Sequence, residues 1–228
     1  DRAILIAVGD RRLTCALDTY VCRPTPAEPG RPKAIGVLRD LSVPADNTPR
    51  VSPDGRYVAM VEGDNLVVRA TADGRELVRS GDGSPGNFYD PETITWSPDS
   101  ARLVINRVRP GHRREIYRVA SSPTDQLEPK LITQLYPKPG DVIDIDRPIL
   151  FDVAAAKQID VDPALFDNPY QLGKVTWRKD SASFAFTYNQ RGHAVYRLIE
   201  VDARTGKPRE VMAEKSDTFV YAPRMDHR

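Results

Sequence analysis

One short pattern decides the fold of this chain and occurs three times: VSPDG at 51–55, WSPDS at 96–100 and WRKDS at 177–181. Each copy combines a strand-favouring residue with Asp and with Pro, Gly or Ser, residues that build tight turns. Alternating runs come after the copies at 57–62, 102–107 and 183–188. The pattern therefore predicts a repeated hairpin: a strand, a tight turn and a returning strand.

The spacing of the copies indicates what the hairpins belong to. Asp54 and Asp99 are 45 positions apart, close to the roughly 40–45 residues of a four-stranded propeller blade. Twenty prolines and fourteen glycines spread along the chain favour short strands over helices. We predict an all-β fold: a partial β-propeller of about four four-stranded antiparallel blades or parts of blades.

We divide the 228 residues into successive parts of this propeller. They are a partial blade and linker at 1–49, blades at 50–83, 84–170 and 171–216, and the start of another blade at 217–228, with a strand at 218–221. The second blade carries an excursion over 108–147, with strands expected at 115–119 and 130–135. A floppy insertion is the alternative, but such long loops usually carry structure or function.

Composition excludes several classes of partner. Lys and Arg number 33 and Asp and Glu 32, with the two signs interleaved, so nothing calls for nucleic acid or an anionic membrane surface. Apolar runs fall far short of the roughly 20 residues of a membrane-spanning helix. The chain also opens directly into a strand-like segment without a leader pattern, as a mature or trimmed terminus would.

The motifs of catalysis and metal binding are missing from the sequence. A nucleophile elbow requires Gly-x-Ser-x-Gly, whereas the stretch DGSPG at 82–86 begins with Asp and precedes no helical pattern. His112, His193 and His227 stand far apart without ligand partners at zinc spacing, and the Asp-rich stretch 141–146 lacks a calcium loop's Gly and distal Glu. We predict no catalytic residue, metal or cofactor here.

Cys15 and Cys22 flank a turn-like stretch between two β-rich runs. A hairpin would bring them across from one another, so a disulfide is geometrically plausible. The alternative is two small buried thiols in adjacent strands, since free cysteine packs well in protein cores.

Tyr89, Asp90 and Glu92 are the candidate binding residues. They lie in the link between two blades, and strand alternation puts this link on the same face as the excursion and the hairpin at 189–193. Two carboxylates beside an aromatic wall suit a substrate ammonium group, because charge-assisted hydrogen bonds exceed neutral ones in strength. The alternative is an ordinary acidic loop.

Several stretches together resemble the propeller domain of dipeptidyl peptidase IV-like serine peptidases of the prolyl oligopeptidase class. They are WSPDS at 96–100, SSPTDQL at 121–127, YPKPGD at 136–141, YNQRGH at 188–193 and EVDARTG at 200–206, with 214–220 closing the likeness. The resemblance covers most of the chain from about residue 51 onward. The first 50 residues fit only as generic blade sequence.

The resemblance implies a non-catalytic domain that gates and orients short peptides for a C-terminal α/β-hydrolase domain, which supplies Ser, Asp and His from sequence outside this chain. In relatives an adjacent Glu-Glu pair grips the peptide's free amino terminus. In relatives this pair sets the removal of dipeptides. The matching region here, 87–92, departs from it, because Pro91 separates Asp90 from Glu92. The excursion matches an arm that helps relatives form homodimers. Family and cysteines together imply a periplasmic or secreted location.

A different class of function is a stand-alone propeller that acts as a binding scaffold of the cell envelope. The two hypotheses differ in the sequence that each expects beyond residue 228. A peptidase requires a further α/β segment with a nucleophile elbow, whereas a scaffold requires only a ring-closing strand.

Overall fold

The computed structural model describes residues 3–8, 11–19, 21–24 and 45–221. The chain divides into two units, Asp1–Gly36 and Val37–Arg228. Most of the predicted linker, 25–44, lies outside the described residues, as do 222–228 with His227.

The first unit contains one antiparallel sheet in the order β1-β2-β3. Its strands are β1 (Ala3–Val8), β2 (Arg11–Ala16) and β3 (Cys22–Pro24). Cys15 lies opposite Cys22 in the β2–β3 register, and a disulfide joins the two sulfur atoms. The cross-link closes the short β2–β3 hairpin.

The second unit begins with a four-stranded antiparallel sheet. Its strands, in spatial order, are β4 (Arg50–Val51), β5 (Tyr57–Glu62), β6 (Asn65–Ala70) and β7 (Glu76–Arg79). Gly63 and Asp64 connect β5 to β6, both with positive φ (53° and 67°). Two consecutive residues of this kind form the tight turn whose twist matches a hairpin.

The second sheet has a divided inner strand and a long hairpin. Its elements are β8 (Phe88–Tyr89), a 3-10 helix (Pro91–Thr93), β9 (Thr95–Trp96), β10 (Arg102–Arg109), the hairpin strands β11 (Glu115–Ala120) and β12 (Lys130–Leu135), β13 (Ile145–Asp152) and β14 (Lys157–Asp160). Both β8 and β9 pair with β10, and the order outward is β8-β10-β13-β14. The helix thus interrupts the innermost strand.

The excursion includes fewer residues than the sequence predicts. Strands β10 and β13 remain paired as far as Arg109 and Ile145, so residues 110–144 leave the sheet instead of 108–147. Val108 is fully buried, and its burial extends the ladder beyond the predicted end. Pro148 lies within β13, opposite Asn106.

The third sheet repeats the divided inner strand. Its strands are β15 (Pro169–Leu172), β16 (Thr176–Trp177), β17 (Ser183–Gln190), β18 (Val195–Asp202) and β19 (Pro208–Lys215). Residues 218–221, predicted as a strand, form none. Instead Ser216 Oγ accepts hydrogen bonds from the backbone N–H groups of Thr218 and Phe219, both at 3.2 Å, and bends the chain.

Two apolar cores hold the three sheets of the second unit together, and β10 contributes to both. Leu103 and Ile105 belong to the core shared with the first of these sheets, whereas Val104 belongs to the core shared with the third. Alternate residues of a strand point to opposite faces, so one strand supplies both cores. Packing of successive four-stranded sheets is the arrangement predicted for propeller blades; ring closure is not seen within 45–221.

Candidate functional site

One face of the second unit gathers the connections between second and third strands and the links between sheets. We call it the loop face. Tyr89 N–H donates to Asp64 O at 3.0 Å, which joins the 80–94 link to the β5–β6 hairpin. Arg191 Nη2 donates to Asp141 O at 2.5 Å, which joins the β17–β18 hairpin to the excursion. These contacts agree with the strand-alternation argument.

Tyr89 is a buried anchor of the link and not an exposed aromatic wall. Its side chain is only 1% exposed, and its hydroxyl donates to Asp82 Oδ1 at 2.8 Å. Burial and the neighbouring Asp82 carboxylate raise the pKa of Tyr89 above its usual value. Asp82 also pairs with Arg107 and accepts from Gln158 Nε2 at 3.2 Å, so it ties the link to β10 and β14.

Asp90 likewise points inward, with 5% of its surface exposed. Its Oδ1 accepts the backbone N–H of Glu92 at 3.0 Å and so caps the 3-10 helix. Its own N–H donates to Asn106 O at 2.9 Å, and Asn106 N–H donates to Thr93 Oγ1 at 2.8 Å. These bonds fix the helix against β10.

Glu92 is the one predicted binding residue that the fold exposes. It sits in the middle of the 3-10 helix, and its Oε1 accepts the backbone N–H of Asp46 at 3.1 Å. Asp90 and Glu92 therefore do not present two carboxylates side by side. The geometry provides one accessible carboxylate, that of Glu92, on a short helix. Asp90 caps this helix, and Tyr89, the residue before Asp90, is fixed by the hydrogen bond of its hydroxyl to Asp82.

The excursion is a two-stranded arm formed by β11 and β12. Val119 lies opposite Leu131, and Tyr117 lies two residues away on the same face. Tyr117, Val119 and Leu131 are 66%, 66% and 64% exposed. The arm thus carries an apolar face that the described part of the chain leaves mostly open to solvent.

Ion pairs hold the base of the arm. Arg114 donates to both oxygens of Asp141, at 2.7 and 2.6 Å, and Asp141 also accepts the backbone N–H of Lys138 at 2.8 Å. These bonds hold the pKa of Asp141 well below its usual range. Arg113 pairs with Asp144 at 2.7 Å. The Asp-rich stretch therefore joins the two ends of the arm to each other.

The structure brings no metal-binding group together at the histidines it describes. His112 is exposed, whereas His193 packs edge-on against Tyr170 at 4.4 Å between ring centres and lies 3.2 Å from Asn189 Oδ1. Within the described ranges, no three His, Cys, Asp or Glu side chains converge as a metal site, and no helix is long and apolar enough to cross a membrane.

Sequence reasoning missed Asp82. Asp82 lies in the stretch dismissed as a false nucleophile elbow, and only the fold brings it to Tyr89 and Arg107. No local pattern marks Asp82 as part of the site.

Solved structures of two peptidases resemble this chain. A crystal structure of Porphyromonas gingivalis dipeptidyl peptidase 4 matches with a TM-score of 0.56 and 17% identity, covering 94% of this chain and 31% of that one. A putative dipeptidyl aminopeptidase IV from Bacteroides ovatus matches with a TM-score of 0.53 and 14% identity, covering 96% and 29%. This chain thus spans about a third of their length, and the likeness confirms the predicted propeller fold.

The family comparison covers most of the second unit. Residues 32–227 match the family described as the dipeptidyl peptidase IV (DPP IV) N-terminal region. The match includes the three sheets of that unit, the arm and the link that carries Glu92. The chain therefore belongs to the family of dipeptidyl peptidase IV N-terminal regions.

Proposed function

We propose that this chain is the substrate-orienting region of a dipeptidyl peptidase IV-like serine exopeptidase. It gates short peptides and presents them to an α/β-hydrolase domain outside these residues. Glu92 carries the proposal: it is an exposed carboxylate on the loop face, set on a helix whose start Asp90 caps. A carboxylate held in this way suits the ammonium group of a peptide's free amino terminus.

The three candidate residues have different proposed roles because they differ in burial. Glu92 contacts the ammonium group. Asp90 and Tyr89 act as positioning residues, because their side chains bond within the link and β10 region and reach no exposed surface. With one accessible carboxylate instead of two, the grip on the amino terminus depends on a single side chain.

The proposed contact between Glu92 and the peptide's ammonium group can be tested in the full-length protein. Glu92→Gln should lower kcat/KM for Ala- or Pro-containing dipeptide reporter substrates about tenfold or more, since a hydrogen bond to a charged group contributes about 1.5–3 kcal/mol. Hydrolysis rates of the reporters, with and without acetylation of their amino terminus, provide the measurement. Acetylated reporters should be insensitive to the change, because they carry no ammonium group.

Glu214→Gln is the matched control, because Glu214 is exposed on the outermost strand of the third sheet. It removes the same charge at a distance from the link. Equal kcat/KM for Glu92→Gln and Glu214→Gln would refute the proposed role of Glu92.

We also propose that the arm takes part in homodimer formation. Its exposed Tyr117, Val119 and Leu131 form an apolar face, and large apolar surfaces commonly mark protein interfaces. The ion pairs at its base join the two ends of the arm, and Arg191 fastens them to the third sheet.

We also propose that the protein is periplasmic or secreted. The disulfide between Cys15 and Cys22 supports it, because disulfides persist in oxidising compartments and are rare in the cytosol.

A further inference from the structure

Residues 46–50 lie on the inner edge of the first four-stranded sheet and lead into β4, which pairs with β5. The first of them, Asp46, donates its main-chain N–H group to Oε1 of Glu92 at 3.1 Å. This hydrogen bond joins the inner edges of two neighbouring sheets. It does so at the one candidate binding residue that the fold exposes.

Regular main-chain pairing of the inner strand gives way to side-chain bonds at the same place in the first and second sheets. Val61 N–H donates to Asn47 Oδ1 at 3.0 Å, and Asn106 N–H donates to Thr93 Oγ1 at 2.8 Å. Val61 and Asn106 each lie seven residues beyond the Asp of the repeated turn. Because these positions are equivalent in adjacent sheets, segment 46–50 comes to lie beside the 3-10 helix of the second sheet.

The segment is held to the two sheets at both of its ends. Asn47 Nδ2 donates to Val61 O at 2.7 Å, so one side-chain amide bonds both main-chain groups of that residue. At the other end Trp96 Nε1 donates to Arg50 O at 2.9 Å. The Trp96 ring also stacks on Tyr57 of β5, with 6.2 Å between ring centres. Such fixing is what a group that orients another side chain requires.

Asp46 is fixed by a turn that its own side chain forms. Its Oδ1 accepts the N–H of Thr48 at 3.0 Å and also the Thr48 hydroxyl, and its Oδ2 pairs with Arg50 at 2.9 Å. These bonds to Thr48 and Arg50 hold the pKa of Asp46 well below its usual range. The carboxylate is therefore ionised at neutral pH, and the turn keeps the main-chain N–H group on Glu92.

One of the two carboxylate oxygens of Glu92 is occupied by this contact. Oε1 accepts the N–H of Asp46, whereas within 45–221 Oε2 accepts no hydrogen bond and forms no ion pair. An exposed Glu side chain otherwise samples several rotamers, and ordering it on binding costs free energy. A hydrogen bond that selects one rotamer beforehand reduces this cost.

We propose that Asp46 is the positioning residue of Glu92. Its N–H group selects the conformation in which Oε1 faces the first sheet, and Oε2 remains available to the ammonium group of a peptide. The site for the amino terminus is thus built from two adjacent sheets. The inference rests on the proposed function, because Glu92 is the group that contacts the peptide.

A double-mutant cycle in the full-length protein tests this role. Asp46→Ala keeps the main-chain N–H group but removes the turn that fixes it. We expect kcat/KM for dipeptide reporters with a free amino terminus to fall about fivefold, as for the loss of one hydrogen bond. In a Glu92→Ala background no carboxylate remains to be positioned, so Asp46→Ala should change kcat/KM by less than about twofold.

Asp46→Asn is the conservative variant, because an Asn side chain also accepts the main-chain N–H two residues on. Its kcat/KM should stay within about twofold of that of the unaltered protein. Asp73→Ala is the matched control. Asp73 accepts the N–H of Arg75 at 3.0 Å in the β6–β7 turn, on the face opposite the loop face. This substitution removes the same kind of turn and should leave kcat/KM unchanged.

Two kinetic results would overturn the inference. An equal fall in kcat/KM on Asp46→Ala with and without the Glu92 carboxylate would show that Asp46 acts on the fold and not through Glu92. A kcat/KM for Asp46→Ala equal to that of Asp73→Ala would show that the turn at Asp46 does not serve the site.

Hydrogen exchange, resolved to single amides, separates this inference from the proposed function. The Asp46 amide should exchange faster in Glu92→Ala than in Glu92→Gln, because only glutamine retains an Oε1 that accepts its N–H. Equal exchange in the two variants would overturn the positioning contact whatever the kinetics. Faster exchange together with an unchanged kcat/KM in Glu92→Ala would refute the proposed function and leave the contact standing.

Discussion

At the scale of single residues, the fifth position of the repeated turn connects neighbouring blades. Ser100 occupies it with a φ of 63°, in the left-handed region, and its Oγ accepts the N–H of Asp54 at 3.1 Å. Ser181 repeats the arrangement with Asp99 N–H, also at 3.1 Å. In the first copy the position holds Gly55. A serine at this position has a strained backbone conformation, and its side chain forms a hydrogen bond between sheets.

Ser100→Ala should therefore lower the free energy of unfolding by about 1 kcal/mol, the usual contribution of a lost hydrogen bond. Urea denaturation measures the change. Ser84→Ala is the control, because Ser84 is exposed and its hydrogen bonds to Asn87 are made by its main chain; surface changes of this kind stay within about 0.5 kcal/mol. Identical denaturation midpoints for the two variants would show that the inter-sheet bond contributes nothing.

At the scale of elements, the arm depends on its base more than on its own strands. A two-stranded hairpin is at best marginally stable by itself. The Arg114–Asp141 and Arg113–Asp144 pairs join its two ends to each other, and the Arg191 contact fastens them to the third sheet. The arm is consequently positioned by charge, whereas the blades are positioned by apolar packing.

The pH dependence of the arm depends on Asp141. Its pKa is lower in the folded protein than the usual value of about 4, so its stabilising effect is fully present above that pH and is lost progressively as the pH falls from there through the lower pKa of the folded state. Asp141→Asn removes the charge at every pH. We expect faster hydrogen exchange of the amides at 115–135, relative to those of β17, in the variant at neutral pH. In the unaltered protein the exchange of the same amides should approach that of the variant progressively as the pH is lowered from about 4.

Asp125→Asn serves as the comparison for that experiment. Asp125 pairs with Lys130 at 2.6 Å in the exposed part of the arm, and exposed pairs contribute little. Its exchange profile should match that of the unaltered protein. If Asp141→Asn matches it as well, the base pairs do not hold the arm.

At the scale of the whole molecule, the arm's apolar face predicts the oligomeric state. Tyr117→Glu combined with Leu131→Glu places two charges on the exposed face, and burying them in a subunit interface would be costly. Sedimentation analysis of the full-length protein should show a dimer that becomes a monomer in the double variant. Val211→Glu, on the exposed outer strand β19, should leave the dimer unchanged. An unchanged mass in the double variant would exclude the arm from the interface.

The sequence by itself determined the repeated turns and most of the strands of this protein. The turns at 51–55, 96–100 and 177–181 and the alternating runs after them depend on neighbouring residues only, and the spacing of the first two copies matches one blade. The arm strands, predicted at 115–119 and 130–135, were also apparent from local pattern. Strand ends such as Arg109 were not, because pairing continued where burial of Val108 favoured it.

Only the tertiary structure decided which side chains reach the surface. Tyr89 is held inward by its hydrogen bond to Asp82, and Asp90 is held by its hydrogen bonds to Asn106 and to the backbone N–H of Glu92. Of the three candidates only Glu92 is left exposed. Arg191 meets Asp141 although 50 residues separate them in sequence. Contacts of this kind depend on the packing of distant strands, which no local pattern of residues encodes.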